Sequence, residues 1–77
     1  MEPMERAVKD FIQILEQKDF SCQGFLREAR ALLRHHRLDP ASAGPDFAHS
    51  ITTNEDLVAR LSPQKRRILL TVVEQLR

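Results

Sequence analysis

Apolar residues Met4, Ala7, Val8, Phe11, Ile12, Ile14 and Leu15 recur at the three-and-four spacing of one helical face. Pro3 precedes them at a first-turn position, where a missing N–H costs nothing, so the spacing predicts a helix over residues 3–17. Lys18-Asp19-Phe20-Ser21 breaks the pattern and offers Asp19 or Ser21 as a cap for the next helix. That helix carries Cys22, Phe25, Leu26, Ala29, Leu32 and Leu33 and ends near His36, with Gly24 a weakness of up to about 1 kcal/mol relative to alanine. Leu38 to Asp46 holds two prolines, a glycine and turn-forming Asp and Ser, which predicts a long loop. Phe47 and Ile51, four apart, predict a single turn pinning that loop to the core. Thr53-Asn54-Glu55-Asp56 reads as a threonine cap with an acidic residue three places on, opening a short helix with Leu57, Val58 and Leu61. Ser62-Pro63 is the clearest start signal, a cap followed by proline at the first helical position, and opens a segment to the end bearing Ile68, Leu69, Leu70, Val72, Val73 and Leu76. There is no internal repeat and no apolar–polar alternation of the strand type. The expectation is an all-α compact bundle of four helices, with room for a fifth near Phe47.

Length and composition narrow what such a bundle can do. The 77 residues make one domain, and 42% hydrophobic with 30% charged residues is a globular composition. A chain this short buries only about 60–65% of its unfolded surface, which leaves little room for an enclosed catalytic pocket and disfavours an enzyme. The net charge of +1 gives no overall field toward nucleic acid or anionic lipid, so such binding needs a local patch. Cys22 stands alone and cannot form an internal disulfide, which points to a reducing compartment, nucleus or cytoplasm. The longest apolar run is Ile68-Leu69-Leu70, far below the roughly 20 residues of a membrane span, and the first residues lack a signal-peptide pattern. The apolar segment runs to Arg77 without a capping residue, which suggests a domain of a larger protein.

Candidate chemistry is sparse. Cys22, His35, His36 and His49 include one cysteine and a tandem histidine pair whose side chains diverge by roughly 100° on a helix, not the paired spacing of a zinc site. Histidines near a helix C-terminus are favoured there by the macrodipole. Cys22 falls on the expected core face and has no glycine-rich or amide nest beside it, so no nucleophilic site forms. Glu55-Asp56 belong to a helix first turn. The expectation is no catalytic residue, no metal and no cofactor.

Basic and apolar surfaces are more informative. About 100° per residue places Arg27, Arg30, Arg34 and Arg37 within a strip of about 80°, away from Phe25, Ala29 and Leu32. Lys65, Arg66 and Arg67 form a second cluster at the unfavourable end of the last helix dipole. Either could meet phosphates or an acidic peptide, or serve only as a solvated face; no aromatic interleaves with the arginines to stack on bases. The apolar residues of the last helix spread over about 200°, more than one core face needs, and those of the first over about 160°. Ile68 and Leu70 lie at opposite edges of the last helix, and Ile12 and Ile14 flank the main stripe of the first. Either the core absorbs them, or Ile12, Ile14, Ile68 and Leu70 line a groove for an amphipathic helix of a partner protein.

Phe11-Ile12-Gln13-Ile14-Leu15-Glu16-Gln17-Lys18-Asp19-Phe20 with Phe25-Leu26 and Leu32-Leu33, and Leu61-Ser62-Pro63-Gln64-Lys65-Arg66-Arg67 with Leu70, Val73 and Leu76, resemble the harmonin-homology domain. This is an all-helical interaction module of scaffold proteins, and the version in the regulator of telomere elongation helicase is the most similar. The two stretches cover about half the chain. The region 38–53 is longer than that family's pattern. The resemblance implies non-catalytic docking of a helical partner segment, with no cofactor; nucleic-acid binding through the arginine strip is the alternative.

Overall fold

The computed structural model describes residues 2–77 and contains five helices: α1 (Pro3–Gln17), α2 (Cys22–His35), α3 (Pro40–Thr52), α4 (Glu55–Ala59) and α5 (Pro63–Leu76). α2 and α3 pack on each other and lie between α1 and α5, while the short α4 rests against α3. Phe11 is the hub of the core. Its ring meets Phe25 of α2 edge-on, at a centroid distance of 6.5 Å, and Phe47 of α3 at 5.7 Å, so three helices share one aromatic cluster. Leu15, Leu33, Ile51, Leu69, Val72 and Val73 complete the fully buried set around it.

Caps set the helix boundaries. The Ser21 hydroxyl accepts from the Gly24 amide at 3.1 Å and the Ser62 hydroxyl from the Lys65 amide at 3.2 Å, so α2 and α5 begin on their serines. Cys22, expected on the core face, is the first residue of α2 and is exposed, at the edge of the contact between α2 and the Thr71–Gln75 flank of α5.

The largest departure from expectation is α3, where a loop was predicted and a 13-residue helix stands. Asp39 caps it, accepting from the Ala41 amide and the Ser42 hydroxyl, both at 3.3 Å, and Pro40 occupies the first turn. Pro45 lies inside the helix, is exposed, and cannot donate to the Ala41 carbonyl. The helix persists because Gly44, Phe47, Ala48 and Ile51, at positions i, i+3, i+4 and i+7, are all buried against the core. Thr53, expected to open the next helix, instead closes α3: its hydroxyl donates to the His49 carbonyl at 3.0 Å and to that of Ser50 at 3.2 Å. α4 starts from Asn54 with no side-chain cap.

α2 ends in a Schellman turn, with the Leu38 amide on the Leu33 carbonyl at 2.7 Å and the Arg37 amide on that of Arg34 at 2.9 Å. Arg37 holds the left-handed position of this turn, φ 61°, which glycine normally takes. Arg37→Gly should therefore raise the stability by about 0.5–1 kcal/mol, and Arg37→Val should lower it, as read from urea melts followed by circular dichroism.

Candidate functional site

Charge is segregated along the chain. Residues 38–59 contain Asp39, Asp46, Glu55 and Asp56 and no Lys or Arg, whereas residues 22–37 contain four arginines against the single Glu28. α2 packs on α5, which opens with Lys65, Arg66 and Arg67, so the basic helices adjoin. Arg27, Arg30, Arg34 and Arg37 are all exposed, and among the described residues no carboxylate lies within salt-bridge reach of any of them. Arg30 and Arg34 share an open depression of about 470 Å³ with Asp39, Pro40 and Ala41 from the start of α3 and Gln75, Leu76 and Arg77 from the end of α5.

Lys65 does not join that surface. Its side chain is only 16% exposed, with the ammonium 3.3 Å from the Asp19 carboxylate, donating to the Lys18 carbonyl, and 5.0 Å above the Phe25 ring. It fastens the start of α5 to the link between α1 and α2. Asp19 is almost wholly in solvent, so the ion pair itself adds little. The carbonyl bond and the cation–π contact carry the effect, and Lys65→Gln should cost about 1 kcal/mol in a thermal or urea melt. Arg66 and Arg67 remain exposed.

The four apolar candidates do not converge on one surface. Ile12 is 3% exposed and belongs to the core, because the side of α1 that it occupies is covered. Ile14 and Ile68 are half-buried and pack against the core from its edge. Leu70 is 59% exposed, the most exposed large hydrophobic side chain among the described residues. It lines a depression of about 150 Å³ with Leu69, Arg66, Val58 of α4 and Thr52 of α3. Positions 68 and 70 are roughly 200° apart on a helix, which puts Ile68 on the flank of α5 that carries Thr71 and Gln75 and faces α2. A single groove joining Ile12, Ile14, Ile68 and Leu70 is therefore replaced by a depression on the α3–α4 side of α5.

Thr52 and Val58, which wall this depression, were not singled out from the sequence. Recognising α3 from the 44, 47, 48, 51 spacing would have placed Thr52 beside α5. Phe20, read from the sequence as part of the break after α1, is 39% exposed and lies against Phe25 at a centroid distance of 5.3 Å with the rings tilted by 49°.

Of the histidines, His36 links two helices. His36 Nε2 and Asp10 Oδ2 are 3.0 Å apart, joining α1 to the end of α2, and the His35 and His36 rings meet edge-on at 5.1 Å. Among the described residues no three His, Cys, Asp or Glu side chains gather as a metal site, and no helix is long and apolar enough to cross a membrane. Comparisons of this chain with protein-family models, with curated proteins and with solved structures give no match.

Proposed function

We propose that this chain is a non-catalytic protein-interaction module that receives an apolar side chain of a partner's amphipathic helix in the depression beside Leu70. The observation that supports this most is the combination of a leucine 59% in solvent with a preformed hollow bounded by Val58 and Leu69. An exposed large apolar residue next to a concave apolar surface is what helix-in-groove recognition uses, and a lone exposed leucine on a convex face would not supply it. Arg66 at the rim can pair with a carboxylate flanking the partner's apolar stripe. The reading agrees with what the resemblance to harmonin-homology domains implies, and it needs no cofactor. The single cysteine, which cannot form an internal disulfide, supports a reducing compartment for the module, nucleus or cytoplasm. Nucleic-acid binding by the arginine strip gains no support from an aromatic beside it, since Phe20 lies in the link between α1 and α2 rather than on the strip.

Leu70→Gln tests the proposal. Removing a central apolar contact should weaken partner binding by about 2 kcal/mol or more, while the melting temperature stays within a few degrees of the parent because little buried area is lost. Partners recovered from cell extract by the parent chain should be retained by a Glu74→Gln control and lost from Leu70→Gln. Retention of the same partners by a folded Leu70→Gln chain would refute the proposal.

A further inference from the structure

We propose a second interaction surface, the depression between α2 and the end of α5, and assign it to an acidic amphipathic helix. It goes beyond the Leu70 site. It is lined by Arg30 and Arg34 on α2, by Gln75, Leu76 and Arg77 at the end of α5, and by Asp39, Pro40 and Ala41 at the start of α3.

Charge complementarity identifies the occupant. Arg27, Arg30 and Arg34 form a row of one sign about 10 Å long at 1.5 Å per residue, which like-charge repulsion makes unfavourable for an isolated helix, and Arg37 follows in the turn after α2. Arg34 gains something from the C-terminal end of the α2 dipole, but Arg27 and Arg30 lie further from that end. The carboxylates nearby do not neutralise the row. Asp39 lines the same depression but forms no salt bridge with any arginine, its oxygens accepting instead from the Ala41 amide and the Ser42 hydroxyl of its own helix. Glu74 pairs with Arg77 at 3.7 Å, both largely exposed, an interaction that an incoming carboxylate can replace. Three guanidinium groups therefore stand free or weakly held around one hollow.

Arginine forks bind carboxylates two bonds at a time. A helix with acidic residues three and four apart repeats at the same spacing as Arg27, Arg30 and Arg34, so one partner helix lying along α2 can answer several of them. The apolar lining residues Leu76, Pro40 and Ala41 then meet an apolar residue from the same helix, a contact a phosphate backbone cannot use. The lack of an aromatic beside the row also favours a carboxylate partner over nucleic acid.

The experiment is an amide chemical-shift titration of the whole chain with three probes: a designed amphipathic helix with leucines on one face and flanking glutamates, the same peptide with lysines for the glutamates, and a short DNA duplex. The glutamate peptide should shift the amides of Arg30, Arg34, Ala41, Gln75 and Leu76, and the lysine peptide should not. Arg30→Gln with Arg34→Gln should weaken the glutamate peptide about tenfold or more while the melting temperature holds or rises, because repulsion within α2 is relieved. Leu70→Gln should leave this binding intact, which separates it from the proposed function. Equal binding of both peptides, shifts at these amides from the duplex alone, or full affinity in the double arginine variant would overturn the inference. So would absence of shifts at these amides with the glutamate peptide.

Discussion

Phe11→Ala should remove most of the stability of the chain. The ring is fully buried and touches the rings of both Phe25 and Phe47, so truncation opens a cavity where α1, α2 and α3 meet. A buried phenylalanine reduced to alanine costs about 3–5 kcal/mol. A 77-residue domain has roughly 4–12 kcal/mol in total at typical per-residue values, so the variant should be partly unfolded at room temperature or melt far below the parent. Phe20→Ala is the internal comparison. It removes a ring of the same size from a partly exposed site and should cost about 1 kcal/mol or less. Urea melts followed by circular dichroism, which need no tryptophan, decide between them; equal losses would mean that the aromatic core is misassigned.

Gly44→Ala should destabilise although alanine is the better helix former by about 1 kcal/mol. A Cβ at position 44 would come 2.8 Å from the Leu76 carbonyl oxygen, which is backbone and cannot turn aside as a side chain could. α3 must then move away from the end of α5, an overpacking effect of about 1–3 kcal/mol that outweighs the propensity gain. Ala43→Gly in the same helix should show the ordinary propensity loss instead. A Gly44→Ala chain more stable than the parent would show that α3 and α5 do not approach as described.

The contrast between α3 and the other helices shows what the chain announces in its own pattern. α1, α2 and α5 are each marked by a proline or serine start and a clear apolar stripe, and they form within a residue of the expected limits. α3 hides behind Pro40, Gly44 and Pro45, residues that usually break helices. Pro40 falls in the first turn, where it is harmless, and Gly44 supplies a close approach to α5 rather than a turn. Pro45 gives up one hydrogen bond, which burial of Phe47, Ala48 and Ile51 offsets. Those gains come from tertiary packing, which local propensity does not register. The same limit applies to the site. Leu70 was legible as an edge residue of α5, and the arginine row as a strip on α2, because both follow from helical spacing alone. The walls supplied by Thr52 and Val58, the closure of the arginine depression by Pro40 and Arg77, and the withdrawal of Lys65 onto Phe25 all depend on which helices become neighbours.

Among these expectations, the docking surface at Leu70 is tested most directly by titrating the isotope-labelled chain with the helical segment of a captured partner. Amide and methyl shifts should concentrate on Thr52, Val58, Arg66, Leu69 and Leu70, and the complex should be lost in Leu70→Gln. Shifts confined to the core or to α1, with unchanged affinity in Leu70→Gln, would contradict the account.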